Sequence, residues 1–177
     1  MGLAVAAEQM MIFDFGRADA VQRWQSIDDG VMGGRSASQL RIEDGVAVFT
    51  GMVSLENNGG FASVRSAPGQ YDLGTYAGIA LRVRGDGKRY QLNLRTDTQF
   101  DGVNYRATFA TEAGQWLTLR LPFSEFLPSF RGQQLKDSAP LDTRRIVTFG
   151  LLIADQQAGP FRLELEWLGG YLDSPGR

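Results

Sequence analysis

Two adjacent carboxylates, Asp28 and Asp29, open the stretch "DDGVMGGRS", with Gly30, Gly33, Gly34 and Arg35 directly behind them. A second dense stretch, "GMVSLENNGGFASVRS" from Gly51 to Ser66, gathers Glu56, Asn57, Asn58 and Arg65 around another glycine pair. Carboxylates in such loops can ligate calcium or share acid and base work across a glycosidic bond. Arginine and asparagine offer forked and amide donors that suit carboxylate or phosphate. The spacing spells out neither carboxylate chemistry. No "DxDxDG" loop is present to hold calcium, and no two acids are uniquely paired. "GDGK" at Gly85 has Arg82 where a phosphate-binding loop needs its earlier glycine, and Arg89 where Ser or Thr should follow the lysine. It reads as a hairpin turn. "GVMGGR" neither follows a clear strand nor opens a helix, so it is no dinucleotide fingerprint.

The 177 residues include neither histidine nor cysteine. Disulfides, thiol catalysis, the usual zinc and iron ligands and every Ser/His nucleophile pair are therefore excluded. We assign no catalytic residue, no metal ligand and no cofactor, and expect a non-enzyme. A composition 43% hydrophobic and 21% charged fits one globular domain with its own core. The net charge of -2 gives no basic field for nucleic acid. All but two of the 18 basic residues are arginine, which reads as genomic base-composition bias ahead of a use for planar, forked donors. No stretch approaches the ~20 apolar residues of a membrane-spanning helix. "MGLAVAAEQMM" lacks the basic start of a signal peptide. The expectation is a cytoplasmic protein with a disordered extension over residues 1–11, one domain over 12–172 and a short tail over 173–177.

These residues must be positioned by strands, because period-two alternation dominates the chain from Ser38 onward. The pattern predicts strands at Ile12–Phe15, Gln39–Ile42, Ala47–Ser54, Ala62–Ser66, Gly78–Arg84, Tyr90–Thr96, Asn104–Ala110, Gln115–Leu121, Arg145–Ile153 and Phe161–Tyr171. Turn residues separate them at intervals of about ten, the rhythm of an all-β sandwich. "RADAVQRW", Arg17 to Trp24, reads as a short helix, and "PFSEFL", Pro122 to Leu127, as a single helical turn. The long connection Pro128 to Thr143 is expected to cover a sheet edge or border a site.

Alternation also assigns faces. Arg82 and Arg84 oppose Ile79, Leu81 and Val83. Gln91, Asn93 and Arg95 oppose Tyr90, Leu92 and Leu94, and Arg106 opposes Tyr105, Ala107 and Phe109. If these strands share a sheet, it has one dry face and one face of arginines and amides. That face is either an ordinary solvated surface or a concave recognition surface. The candidate ligand- or partner-binding residues are Asp29, Arg35, Glu56, Asn57, Asn58, Arg65, Arg82, Asn93, Arg95, Tyr105 and Arg106.

Taken together, "DDGVMGGRS", "FTGMVSLENNGGFASVRS", "LRVRGDGKRYQLNLRT", "WLTLRLPFSEFLPSFRG" and "GPFRLELEWLGGY" resemble the complex I intermediate-associated protein family, from about Ile12 to Leu172. That family is named for an assembly factor of mitochondrial NADH:ubiquinone oxidoreductase. The resemblance implies a stand-alone bacterial member with an all-β, galactose-binding-like jelly roll and one or two short helical turns. It also implies a non-catalytic module that acts as an assembly or chaperone-like factor through an unidentified protein partner. The alternative is a carbohydrate or small anionic ligand held on the Arg/Asn-rich face. Within the two-part signature, Asp29 and Arg35 are expected chiefly to lock their segment against the Glu56–Asn58 crossing.

Overall fold

Alternating apolar and polar residues form thirteen strands in the computed structural model, which describes residues 9–99 and 101–173 without the side chains of Val31, Met32 and Asn58. In chain order they are β1 (Gln9–Asp14), β2 (Trp24–Ser26), β3 (Ala37–Glu43), β4 (Val46–Val53), β5 (Ala62–Ser66), β6 (Gly78–Arg84) and β7 (Arg89–Arg95). There follow β8 (Asn104–Ala110), β9 (Trp116–Pro122), β10 (Leu127–Phe130), β11 (Gln133–Gln134), β12 (Thr148–Ile153) and β13 (Gly159–Tyr171). Two antiparallel sheets face each other. Sheet A runs β3-β4-β13-β6-β9, with β1 also paired to β13; sheet B runs β11-β10-β8-β7-β12-β5-β2. Short helical turns at Asp29–Met32, Glu56–Asn58 and Phe123–Glu125 complete the jelly-roll sandwich.

The inward sets of both sheets form one core. Ile79, Leu81 and Val83 from sheet A meet Tyr90, Leu92, Leu94, Phe149 and Leu151 from sheet B, all fully buried. Aromatic pairs bridge the layers, among them Phe13 to Phe149 edge-on at 5.5 Å and Phe49 to Tyr90 at 6.3 Å. β13 changes phase along its length. Phe161, Leu163 and Leu165 point inward, and a bulge before Trp167 turns Leu168 inward instead.

Three expectations need correction. β1 begins at Gln9, because Gln9, Met10 and Met11 pair with Tyr171, Gly170 and Gly169, so these three residues belong to the domain and not to an extension. Arg17–Trp24 forms successive turns and no helix. Its bonds run three residues back, from Ala20, Gln22 and Trp24 N–H, while Trp24 enters β2 and packs edge-on against Phe13 at 5.1 Å. The arginine face is split, because β6 and β9 lie in sheet A while β7 and β8 lie in sheet B. The Pro128–Thr143 connection contributes β10 and β11 to the far edge of sheet B, and its Ala139 carbonyl accepts from the Tyr105 hydroxyl at 3.1 Å.

On the outer face of sheet A the arginines of β6 meet acids of the neighbouring β13. Arg82 Nε lies 3.1 Å from Glu166, and Glu164 takes Arg84 on one side and Arg162 at 2.9 Å on the other. The Arg84 hydrogen bond, with help from Arg162, outweighs burial and holds the Glu164 carboxyl below its ordinary value of 4.5. A depressed folded value stabilises the fold fully above the unfolded pKa, and this contribution is lost as pH falls through the folded one. Urea midpoints measured stepwise downward from about pH 6 should therefore fall more steeply in the wild type than in Glu164→Gln. Parallel curves would exclude this pair as a source of acid sensitivity.

Candidate functional site

Both signature stretches are crossovers between the layers. The segment after β2 passes from sheet B to sheet A, and the segment after β4 passes back. They meet on one carboxylate. Asp29 is 0% exposed, and its oxygens accept from Ser36 N–H at 2.8 Å, Ser36 Oγ at 2.5 Å, Gly60 N–H at 2.7 Å and Phe61 N–H at 3.3 Å. Burial by itself would push the Asp29 carboxyl up, but the Ser36 hydroxyl and the three backbone donors together hold it below the usual range. Asp28 makes the neighbouring stitch, accepting from Ser38 N–H at 2.9 Å and Oγ at 2.5 Å in β3 and from Ser63 N–H at 3.0 Å in β5.

The glycines follow from this carboxylate. A Cβ on Gly34 would stand 2.4 Å from Asp29 Cγ, and one on Gly59 would stand 2.5 Å from Asp29 Oδ2. Gly33, at φ +89°, closes the first helical turn in the left-handed region. Arg35 and Glu56 add an exposed ion pair at 3.5 Å across the two crossings, which contributes little in water. Asn57 is exposed, with φ of 55°. The side chain of Asn58 lies outside the described residues.

Of the expected binding residues, the structure gathers Arg65, Asn93, Arg95 and Arg106 on the outer face of sheet B. Register lines up Gln25, Arg65, Gly150, Asn93, Arg106 and Leu127 across six strands, with Thr148 opposite Arg95 in the next row. Asp29 is interior and unreachable by a surface ligand. Tyr105 is 6% exposed and belongs to the core, and Arg82 sits on the opposite sheet. Gln25, Asn104, Ser129, Thr148 and Gly150 share this face, and no motif marks them. Their outward phase is legible in each strand, but their adjacency depends on β12 lying between β5 and β7.

This face is no ordinary solvated surface. Gln91, Thr148 and Ser129 point outward by register and yet are 5%, 5% and 2% exposed. Arg65 and Arg95 are half-buried beside them. Burial, and then the charge of Arg95, lowers Arg65 to about 10, so it stays cationic at neutral pH. Burial also lowers Arg95, against the favourable charges of Asp97 and Asp101. Asn93 Oδ1 and Asn104 Oδ1 are buried without a hydrogen-bond donor. Among the described residues, no three acidic side chains converge as a metal site would require.

The family model for complex I intermediate-associated protein 30 matches residues 13–165, a span that includes both crossovers and every strand of sheet B. The chain belongs to this family. Two relatives are named "Complex I intermediate-associated protein 30, mitochondrial". The one from Drosophila melanogaster is 28% identical over 92% of this chain and 62% of its own length, and the one from Mus musculus is 27% identical over 96% and 58%. The chain thus spans less than two thirds of either relative. Among solved structures, a family 11 carbohydrate-binding module from Clostridium thermocellum, in complex with a β-1,3-1,4-mixed-linked tetrasaccharide, superposes with a TM-score of 0.70. It is 15% identical, with 96% of this chain and 98% of that one covered, so the likeness is one of fold. In this member of the complex I intermediate-associated protein 30 family, no helix among the described residues is long and apolar enough to cross a membrane.

Proposed function

We propose that the chain is a non-catalytic binding module that assists assembly of a complex I-type NADH:ubiquinone oxidoreductase by holding a protein partner. The family match over residues 13–165 carries this reading. The water-shielded Arg/Asn face of sheet B supplies the recognition surface, and the carboxylates of the two signature loops are committed to the fold. The names of the relatives place them in mitochondria, and the cytoplasmic location expected here belongs to this proposal.

The carbohydrate alternative has support from the fold of the tetrasaccharide-binding module. A pyranose ring is commonly held by an exposed aromatic platform. Among the described residues of the seven strands of sheet B, no aromatic side chain shares the outer face with Arg65 and Asn93. Tyr90, Tyr105, Phe109 and Phe149 point into the core, and Trp116 lies on sheet A beneath Arg82 and Arg84. This favours protein over glycan.

Affinity purification of the tagged chain from its native organism under mild conditions is expected to recover subunits of NADH:ubiquinone oxidoreductase, and deletion is expected to reduce the assembled enzyme. Full assembly in the deletion strain, with no subunit recovered, would refute the proposal.

A further inference from the structure

The four strands that end the sheet paths are not finished alike. β2 has three residues and β11 two, too few for a long pairing. Along β3, Asp28 takes Ser38 N–H at 2.9 Å and Ser26 Oγ donates to Ser38 O at 2.8 Å, so side chains close that edge. β9 is seven residues long and ends sheet A, and among the described residues no strand pairs with its far side. Phe123 N–H donates to Ala77 O at 3.0 Å, which sets the phase of the ladder. Leu121, Leu119 and Leu117, opposite Ile79, Leu81 and Val83, therefore exchange their bonds with β6. The N–H and C=O groups of Trp116, Thr118 and Arg120 turn to the open edge. Native edges are commonly blunted by lysine, inward charge or a bulge, and β9 carries none of these before Pro122 at its end.

The two layers also end unevenly on this side. β4 packs on β5. Beyond that pair, sheet A continues with β13, β6 and β9, and sheet B with β12, β7, β8, β10 and β11. β9 thus stops above β8 and leaves β10 without a strand over it. The side chains agree. Leu117 and Leu119 face inward yet are half-buried. Phe130, inward by phase with Pro128 and Tyr105, is 37% exposed. An apolar groove of about 460 Å³, lined by Phe123, Phe126, Pro128, Leu135 and Leu141, opens at the end of β9.

We propose that β9 receives an extended segment of the protein partner as an added strand of sheet A, lying over β10. The proposal rests on the protein-binding reading above and adds a second surface to it. The overhang of sheet B selects this occupant. A second copy paired antiparallel through β9 would bring its own β10 and β11 into the space these strands already fill, whereas a lone segment needs one strand spacing of about 4.8 Å. Alternation fixes the chemistry of the segment. Apolar residues at every second position cover Leu119 and Phe130, and the residues between them face solvent. Arg120 is the one charged residue of β9, and Lys136 is the one charged residue lining the groove, so an acid is the complementary charge.

The probe is a nonapeptide in which valine alternates with threonine around a central glutamate, titrated to about 1 mM against the full chain, with amide exchange read by NMR. Without peptide, the Trp116, Thr118 and Arg120 amides should exchange much faster than those of Leu117, Leu119 and Leu121. The peptide should slow the first set at least about tenfold and the second set far less. N-methylation of alternate peptide amides should abolish binding in one phase only, since an added strand pairs through one of its edges. Thr118→Pro removes the central donor of the open edge and spares the ladder to β6, so it should fold and bind at least about tenfold more weakly. Thr118→Val should bind as wild type does. Melting is measured for both variants, and if Thr118→Pro fails to fold, the methylated peptides decide.

Absence of peptide binding, equal binding by both methylated forms, or unchanged binding by folded Thr118→Pro would overturn the proposal. So would a dimer in sedimentation that Thr118→Pro dissociates. Failure of the broader reading looks different. If oxidoreductase subunits copurify equally with wild type and folded Thr118→Pro, the open edge is the wrong surface and the assembly role survives. If the peptide protects β9 but no subunit copurifies, the strand-binding edge survives and the assembly role falls.

Discussion

Asp29→Ala is expected to lower the free energy of unfolding by about 4 kcal/mol, because it strands three backbone donors that the carboxylate now satisfies. Ser36, Gly60 and Phe61 N–H all converge on it, and the Ser36 hydroxyl bridges from Asp29 to Ser54 N–H and so ties in the end of β4. An unpaired buried donor costs about 1–3 kcal/mol, and relaxation toward water recovers part of the sum. For a domain of this size the change corresponds to a fall in Tm of about 10 °C. Asp29→Asn should cost less, about 2 kcal/mol, since it keeps the shape but sets an amide donor against an N–H donor. Urea unfolding measures both, and a loss below about 1 kcal/mol for the alanine variant would contradict the picture of a corner fastened at one carboxylate. The carboxylate acts on the fold, apart from the Arg65 and Asn93 face of sheet B.

Much of the fold is written locally. Strands such as Gly78–Arg84 and Asn104–Ala110 are legible to the residue because each alternates cleanly and is bounded by turn residues. The lock between the two signature stretches is legible too, since paired glycines beside a short acid suggest backbone approaching closely. What alternation does not encode is which strands are neighbours. Arg82 and Arg95 stand on strands consecutive in sequence, and the Gly85–Lys88 turn expected to join them as a hairpin instead passes from one layer to the other. The polar face therefore divides into an ion-paired ladder on sheet A and an arginine and amide face on sheet B. Strand β12 is decisive for that face and remote in sequence from both strands it joins, so Thr148 and Gly150 carry no local mark of their position. The bulge in β13 hides its phase in the same way, since one extra residue reverses which side chains face the core. Trp24 shows the opposite failure. Its helical spacing from Val21 is real, but pairing with Ser66 and packing on Phe13 and Phe15 prevail.

Gly34→Ala should cost about 3 kcal/mol in the wild type and much less once Asp29 is alanine. The new methyl would meet Asp29 Cγ and Oδ1 at 2.4 Å and Cβ at 2.9 Å, so the clash is almost wholly with one side chain, itself fixed by four hydrogen bonds and unable to yield cheaply. Gly33→Ala separates this from backbone strain. Gly33 has positive φ but nothing within 4 Å of its would-be Cβ, so its loss should be about 1 kcal/mol and independent of Asp29. Removing the carboxylate leaves Cβ as the one remaining close contact of Gly34. In an Asp29/Gly34 double-mutant cycle the coupling should therefore exceed about 1.5 kcal/mol, while the Asp29/Gly33 cycle stays near additive. Equal additivity in both would mean that Gly34 is required by its own backbone. The second glycine pair sets a further condition. A methyl on Gly59 would also approach the carbonyls of Glu56 at 2.9 Å and Ser54 at 3.0 Å, so Asp29→Ala should relieve Gly59→Ala less completely than Gly34→Ala. That ordering follows if the acid of the first crossover, and no bound group, sets the spacing of both.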